Sequence, residues 1–235
     1  MKKIEVVQNI LKANDYIAAQ NQQLLNENGV FAINIMSAPG AGKTSLILQT
    51  IARLKNKLRI AVIEGDVAST LDSERVRSEV TDVVQITTRN MSESCTLIAN
   101  MVSRALERMP LRDVALLLIE NVGNLICPSE FALGEHRRVV VSSLPEGDDK
   151  PMKYPVIFAD ADAVVINKVD FLPYVEFDIS SFQNALRVLN PKVAIFQVSC
   201  KTGIGIENWC SWLLTELEAS RQRSPHLTSP LKGEE

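Results

Sequence analysis

The chain has 235 residues, of which 46% are hydrophobic and 23% charged, and its formal net charge is −3. This size and composition predict a single α/β domain with short extensions. Because there is no excess of basic residues and the apolar runs are far shorter than the roughly 20 residues of a membrane span, neither nucleic acid nor membrane is expected as a partner.

The first residues and the cysteines of the chain lead to expectations about its cellular compartment. Met1 to Val6 carry charge but no apolar core of a signal peptide, so the chain is expected in the cytoplasm. In that reducing compartment we expect the four cysteines to be ligands or core residues rather than a disulfide framework.

The apolar pattern alternates between helical and strand-like segments. Residues 1–29 predict one or two amphipathic helices that end at Gly29. Strands are predicted over Phe31–Met36, Arg59–Glu64, Val114–Glu120, Val139–Leu144, Ala163–Asn167 and Val193–Ser199, and helices over Thr44–Leu54, near Ser92–Arg108, over Ser180–Leu189 and over Ile206–Ala219. This order predicts an α/β domain over residues 30–219, with a mostly parallel twisted sheet and helices on both faces. Residues 220–235 have no apolar period and predict a disordered tail.

The segment Ser37-Ala38-Pro39-Gly40-Ala41-Gly42-Lys43-Thr44 follows the first strand and predicts a phosphate-binding loop. Its glycines allow positive φ angles, so backbone N–H groups can approach phosphate oxygens at the start of the next helix. Lys43 is placed to reach the β- and γ-phosphates, and Thr44 to ligate Mg²⁺. The predicted nucleotide contacts here are Gly40, Ala41, Gly42, Lys43, Thr44 and Ser45. Ser37 replaces the first glycine of the generic pattern, and the alternative is a glycine-rich turn with an incidental lysine.

Two further segments predict contacts to magnesium and the γ-phosphate. Asp66 follows the strand Arg59–Glu64 and is predicted to hold Mg²⁺ directly or through water; the alternative role is a helix N-cap. Glu120-Asn121-Val122-Gly123 takes the place of D-x-x-G, in which an acid supports magnesium and the glycine N–H senses the γ-phosphate. The predicted catalytic residues for slow hydrolysis by water are Lys43, Asp66, Glu120 and Gly123.

A motif for guanine follows a later buried strand. Asn167-Lys168-Val169-Asp170 matches N-K-x-D, in which one carboxylate, here Asp170, accepts hydrogen bonds from both N1–H and the amine of guanine. Asn167 is predicted to tie the phosphate loop, and the Lys168 stem to lie against the ring. Ser199-Cys200-Lys201 resembles the S-A-K loop whose N–H groups bind guanine O6. These segments predict GTP and GDP as ligands; the alternative is an ordinary polar turn.

Longer segments match one known family. They are Ser37–Thr44, Glu64-Gly65-Asp66, Ile119–Pro128, Glu146–Pro151, Lys153-Tyr154-Pro155 and Asn167–Tyr174, with Asn14-Asp15 near the start. On these residues, from about position 8 to 218, the chain resembles the HypB family, the nickel-incorporation GTPases of hydrogenase maturation. Serine at the first loop position is usual in that family, so Ser37 agrees with the resemblance.

The resemblance implies a P-loop NTPase of the SIMIBI type, with a G domain and an N-terminal helical extension. It implies Mg²⁺-dependent hydrolysis of GTP to GDP and phosphate by a homodimer that forms around nucleotide. It also implies delivery of Ni²⁺ to the large subunit of nickel–iron hydrogenase, together with a small zinc-containing partner of the HypA type.

The same resemblance implies a metal site at which this chain departs from the family. The family has a Cys-His pair and a later cysteine that form a nickel or zinc site at the dimer interface. Here the matching positions are Cys95-Thr96 and Cys127, so the histidine is missing. Two thiolates per chain imply weak binding of Ni²⁺ or Zn²⁺, weaker than in a Thr96→His variant, with Glu93 as an optional oxygen ligand. The alternative for Cys95 is packing with Leu97 on a helix.

Three functions stay open at this point. The first is a GTPase that delivers nickel to hydrogenase. The second is a GTPase chaperone for another metalloenzyme, such as urease or a cobalamin-dependent mutase. The third is a scaffold that binds GTP without metal delivery or turnover.

Overall fold

The computed structural model of the chain describes residues 6–65, 76, 82–86 and 95–223. In these ranges the helices are α1 (Val6–Glu27), α2 (Lys43–Leu54), α3 (Ala99–Leu106), α4 (Lys150–Lys153), α5 (Pro155–Ala159), α6 (Ile179–Leu189) and α7 (Ile206–Arg223). The strands are β1 (Phe31–Ser37), β2 (Ile60–Glu64), β3 (Asp82–Gln85), β4 (Leu116–Gly123), β5 (Arg137–Ser143), β6 (Ala163–Asn167) and β7 (Ala194–Gln197). Short 3₁₀ turns occupy Leu111–Asp113, Cys127–Ser129, Leu144–Glu146 and Val169–Tyr174.

The described strands form one parallel sheet in the order β3-β2-β4-β1-β5-β6-β7. β1 lies at its centre, where Ile33 is opposite Leu118 of β4 and Arg137 of β5. The inner strands are rich in Val, Ile and Leu because both of their faces are buried. All strands run the same way, so their carboxyl ends share one edge of the sheet. The predicted α/β fold with a parallel sheet is confirmed.

Helices cover both faces of the sheet, and alternate residues of each strand point to opposite faces. On one face, Leu46 of α2 and Trp209 of α7 pack in a cluster with Ile33 of β1. The other face carries α1 and α3 over one half and α5 and α6 over the other, with Leu25, Val102, Phe158 and Phe182 among the buried side chains. No helix in the described ranges has the length and apolar character that crossing a membrane requires.

Several elements differ from the sequence-based prediction, which did not include the short helices α4 and α5. Strand β3 was not predicted, because this four-residue edge strand is only half-buried and lacks a long apolar run. The helix predicted near Ser92–Arg108 begins only at Ala99. Residues 95–98 are not helical, since the N–H of Leu97 donates to the Asn121 side chain (3.1 Å) instead of to a helical carbonyl. Residues 92–94 lie outside the described part of the chain.

The terminal helices extend the domain. α1 is one continuous helix, and the chain leaves it through Gly29, whose φ of 68° lies in the left-handed region that favours glycine. α7 continues to Arg223, beyond the predicted end at Ala219 and into the segment 220–235 that the sequence predicts as a disordered tail. Residues 224–235 lie outside the described ranges.

Candidate functional site

Polar residues converge where the central strands end at the carboxyl edge of the sheet. Ser37, Glu64 and Asn167 are the last residues of β1, β2 and β6, and Glu120 of β4 is directly opposite Glu64 in the sheet register. All four are at most 3% exposed. The sequence analysis did not select Glu64 as a site residue, although an acid at the end of an otherwise apolar strand was a usable signal. This edge therefore carries two buried carboxylates beside the predicted phosphate loop.

The phosphate loop has the backbone geometry that its sequence predicts. Gly40 and Gly42 have φ angles of 77° and 104°, which side-chain-bearing residues rarely adopt. Gly42 provides no side chain to cap α2, so the first N–H groups and the positive end of the helix dipole face the loop. The Lys43 ammonium, which is 6% exposed, donates to Ser37 Oγ at 3.1 Å. The serine at the first loop position thus holds the lysine inside the loop.

The Thr44 hydroxyl and the Glu120 carboxylate lie together at the start of α2. Thr44 Oγ1 donates to Glu120 Oε1 at 2.7 Å. A hydroxyl and a carboxylate are the oxygen donors that Mg²⁺ prefers, so these residues fit a magnesium ion. Gly123, three residues further along β4, lies against the loop, since a Cβ there would come within 3.1 Å of Pro39. Asp66, the other predicted magnesium ligand, lies outside the described residues.

Asn167 joins the three segments that are predicted to hold the nucleotide. Its Nδ2 donates to the carbonyl oxygen of Ala41 at 2.9 Å, and its Oδ1 accepts from the backbone N–H groups of Lys168 and Cys200 at 2.7 and 3.2 Å. Every atom of this amide is therefore used to connect the phosphate loop with the two base-recognition loops. A Cβ on Gly42 would collide with this amide.

The remaining base-recognition residues surround an open cavity of about 400 Å³. Its lining comprises Gly42, Ser45, Leu48, Gln49, Asn167, Lys168, Asp170, Phe171, Cys200 and Lys201. Lys168 has a φ of 62° and donates from Nζ to the carbonyl oxygen of Gly40 at 2.7 Å. Asp170 Oδ1 accepts from the Ser199 hydroxyl at 2.6 Å, which orients the carboxylate. Gln49, which the sequence analysis missed, donates to the carbonyl oxygen of Cys200 at 2.7 Å and supports that loop.

The cysteines divide into a paired set and a buried set. Cys95 and Cys127 are joined in a disulfide with a Cα–Cα distance of 6.2 Å, whereas the sequence led us to expect ligands or core residues rather than a disulfide framework. Both lie in loops held beside the end of β4, and this places their sulfurs together. Cys200 and Cys210 are free and buried, and burial raises the pKa of each thiol to about 11. They contribute to the base loop and the core, as predicted.

Within the residues that the structure describes, the surroundings of the paired cysteines do not complete a metal site. Thr96 is 5% exposed, and its Oγ1 lies 3.1 Å from the carbonyl oxygen of Leu97 and 3.3 Å from Asn121 Oδ1, the two acceptors within reach of its single hydroxyl hydrogen. In the described ranges, no three His, Cys, Asp or Glu side chains are grouped so that they could hold a metal ion. Glu93, the optional ligand, lies outside those ranges.

Comparison with known proteins gives consistent matches. Residues 31–197 match the family described as CobW/HypB/UreG, nucleotide-binding domain. The chain is 46% identical over 220 residues to hydrogenase maturation factor HypB of Rhizobium leguminosarum bv. viciae, which covers 93% of this chain and 72% of that protein. The crystal structure of HypB from Archaeoglobus fulgidus is similar with a TM-score of 0.82 and 42% identity, covering 88% of this chain and 99% of that one. HypB from Helicobacter pylori in complex with nickel gives a TM-score of 0.81 and 36% identity over 93% of this chain and 100% of that one.

Proposed function

The chain belongs to the CobW/HypB/UreG family and, within it, to the HypB hydrogenase maturation factors, and we propose that it is a GTP-hydrolysing metallochaperone that assists nickel insertion. The observation that carries the GTP assignment is the Asn167 amide, which connects the phosphate loop to both base-recognition loops. Asp170 then faces the same cavity with an oriented carboxylate, the group that recognises the two donors of guanine.

The proposed reaction is the attack of water on the γ-phosphate of GTP. The loop N–H groups and the Lys43 ammonium stabilise the charge that develops on the transferred phosphoryl group. Thr44 and Glu120, with Asp66 from the sequence, would hold Mg²⁺, which neutralises charge on the β- and γ-phosphates when it is bound. Gly123 adjoins Pro39 of the loop, so its N–H is suited to report whether a γ-phosphate is present. Two nucleotide states that differ in this contact provide the switch.

Nickel is the proposed cargo, and the nickel complex of the Helicobacter pylori relative supports this choice. In the reduced form, Cys95 and Cys127 of two chains would offer four thiolates to one ion. Imidazole suits Ni²⁺ and Zn²⁺, and threonine has none. The Thr96 hydroxyl is buried and within hydrogen-bond distance of the Leu97 carbonyl oxygen and Asn121 Oδ1. We therefore expect weak metal binding that needs both protomers.

An exposed apolar segment beside the base cavity supports the proposed homodimer. Phe171 and Leu172 are each 41% exposed and Tyr174 is 82% exposed. Phe171 also lines the base cavity, so nucleotide binding and pairing of two chains would involve adjacent surfaces. The further partners that we propose are a zinc-containing accessory protein of the HypA type and the hydrogenase large subunit.

A second candidate is a GTPase chaperone for another metalloenzyme, of the urease or cobalamin-dependent mutase type. The observation that favours it is the incomplete donor set around Cys95 and Cys127 in the described residues. The nucleotide site would work in the same way, and the client would differ.

The catalytic part of the proposal is tested by the variant Lys43→Ala. The lysine is buried in the loop, and removing its charge should lower GTP hydrolysis by roughly 100-fold or more. The measurement is phosphate release from GTP and, in parallel, from ATP. Lys57→Ala changes an exposed lysine just beyond α2 and should keep the wild-type rate. A Lys43→Ala variant that hydrolyses GTP at the wild-type rate would contradict the assigned role.

The client is tested by affinity capture from a mixture of purified proteins, with GTP, with GDP and without nucleotide. Capture of a hydrogenase large subunit and a HypA-type protein supports delivery to hydrogenase. GTP hydrolysis without capture of either would reject that client and leave the second candidate. Lack of any GTP hydrolysis by the wild-type chain would reject both and leave a scaffold.

A further inference from the structure

The disulfide between Cys95 and Cys127 joins two loops that meet beside the nucleotide site. The cysteines are 32 positions apart in the sequence, and both residues are half-buried. Cys127 begins a 3₁₀ turn four residues after Gly123, the residue that lies against the phosphate loop. The pair therefore lies close to the proposed switch and is not fully buried.

Hydrogen bonds at the end of β4 and just beyond it hold both loops in addition to the bond between the sulfurs. Asn121 is fully buried, and its Oδ1 accepts from the N–H of Leu97, two residues after Cys95, at 3.1 Å. On the other side, Asn124 Oδ1 accepts from the N–H of Ile126 at 2.8 Å, and Asn124 Nδ2 is 3.5 Å from Cys127 Sγ. With both backbones held by β4 and its extension, the 6.2 Å between the Cα atoms suits a disulfide.

Thr96, which lies between Cys95 and Leu97, leaves the two cysteine thiols without a neighbouring imidazole. The Thr96 hydroxyl is bonded inward, and the described residues group no third metal ligand with the two sulfurs. One chain thus presents two adjacent thiols without an imidazole. In reducing compartments, disulfides of this kind are usually transient and sense redox conditions.

We propose that Cys95 and Cys127 are a reversible oxidation site, at which a small-molecule disulfide such as oxidised glutathione converts the two thiols to a disulfide and thereby removes metal binding. One cysteine thiolate attacks the glutathione disulfide and releases one reduced glutathione. The second cysteine thiolate attacks the mixed disulfide and releases the other. The chain loses two protons and two electrons, and one glutathione disulfide becomes two thiols. The loss of metal binding follows because the thiolate is the metal ligand; this part alone rests on the proposed cargo role.

The other two cysteines act as internal controls in the same molecule. Cys200 and Cys210 are 9% and 3% exposed, and burial raises the pKa of their thiols to about 11. They hold little thiolate at neutral pH and are shielded from the reagent, so they should stay reduced where Cys95 and Cys127 oxidise.

The test equilibrates the full chain with reduced and oxidised glutathione at increasing ratios, alkylates the remaining thiols and counts them by intact mass. The count should fall from four to two, and peptide mapping should find one Cys95–Cys127 link within a single chain. The variants Cys95→Ser and Cys127→Ser should instead stop at a mixed disulfide with glutathione. A count that stays at four, a link between two chains, or a link to Cys200 or Cys210 would overturn the proposal.

Zinc alone serves as the probe for the second part. The reduced chain should compete with a colorimetric zinc chelator, the oxidised chain should not, and reduction should restore the competition. Equal competition by both forms would show that oxidation does not displace metal. GTP hydrolysis is measured on the same samples to distinguish this proposal from the proposed function. If the chain oxidises as stated but hydrolyses no GTP, the redox site stands and the GTPase activity is rejected.

Discussion

Single side chains are proposed to decide which base the candidate site accepts. Asp170 receives the Ser199 hydroxyl at 2.6 Å on one oxygen, so its carboxylate is already oriented before a ligand arrives. Thr202 N–H in turn donates to Ser199 Oγ at 3.2 Å, which holds that hydroxyl. Pre-oriented acceptors lose less entropy on binding, so this arrangement favours affinity as well as selectivity.

The variant Asp170→Asn should relax the preference for guanine. Replacing the carboxylate removes a charge-assisted acceptor for two donors, and a hydrogen bond to a charged group contributes about 1.5–3 kcal/mol, or roughly 10- to 150-fold in affinity. Competition between GTP and ATP for the site measures the change. Ser199→Ala keeps the carboxylate and should have a smaller effect. An unchanged preference for GTP in Asp170→Asn would contradict the assignment.

His136 ties the start of β5 to the rest of the fold only in its neutral form. Its Nδ1 accepts from the N–H of Ala32 at 3.0 Å, while Nε2 lies 3.0 Å from Asn26 Oδ1, to which it donates. Burial, together with the charge of Arg137, lowers the pKa of His136 from 6.5 to about 4. Protonation of Nδ1 would place its N–H against the N–H of Ala32, and the hydrogen bond between them would be lost.

This arrangement predicts a pH dependence of stability. The unfolded chain binds a proton at His136 below pH 6.5, whereas the folded chain binds it only below about 4. Above pH 6.5, His136 therefore makes its full contribution to the free energy of unfolding. That free energy falls as the pH is lowered from 6.5 to about 4. Urea titrations across this range measure it. His136→Asn keeps an acceptor for Ala32 and should show a flatter profile; parallel profiles would contradict the role of His136.

At the scale of elements, α1 is held in place mainly by asparagines. Asn14 Oδ1 accepts from the N–H of Ala99, the first residue of α3, at 2.9 Å, and its Nδ2 donates to the carbonyl oxygen of Ala132 at 2.8 Å. Asn21 donates to the carbonyl oxygens of Ala99 and Leu133, both at 2.9 Å. Asn14 of α1 thus caps α3 from a distance of 85 positions in the sequence.

Removing this long-range cap should destabilise the whole chain. Asn14→Ala leaves the buried N–H of Ala99 and the carbonyl oxygen of Ala132 without this partner, at a cost of about 1–3 kcal/mol in the free energy of unfolding. Denaturant titration measures the loss. Lys12→Ala, an exposed change on the same helix, should change the free energy by little. A loss in Asn14→Ala no larger than in Lys12→Ala would show that the cap is unimportant.

Elements whose signals are local could be predicted from the sequence. Lys43 and Asp170 lie in short motifs after apolar strands, and the parallel sheet brings such strand ends together. The start of α3 could not be predicted, because the side chain of Asn121, a distant residue, binds the segment before it. Glu64 was missed because its partner, Glu120, becomes its neighbour only through the sheet register. The pairing of Cys95 with Cys127 likewise depends on tertiary contacts.

At the scale of the whole molecule, the exposed segment Val169–Tyr174 gives a test of the proposed dimer. Replacing Leu172 and Tyr174 with Asp places two charges on the apolar surface and should prevent pairing in the presence of a non-hydrolysable GTP analogue. Sedimentation velocity measures the oligomeric state. GTP affinity should be unchanged, since neither residue lines the base cavity. Val188→Asp, at a residue 83% exposed on α6, is the matched control. A double variant that still pairs would place the interface elsewhere.

The tight approach of Asn167 to Gly42 has a consequence for engineering. No side chain fits at position 42 while the asparagine amide is present, and the left-handed backbone there disfavours substitution further. Gly42, in the amino-terminal half of the domain, and Asn167, in the carboxyl-terminal half, therefore fit each other as a pair. A chimaera that combines halves from different relatives keeps its nucleotide pocket only if both positions are inherited together, and a mutant library should vary them as a pair.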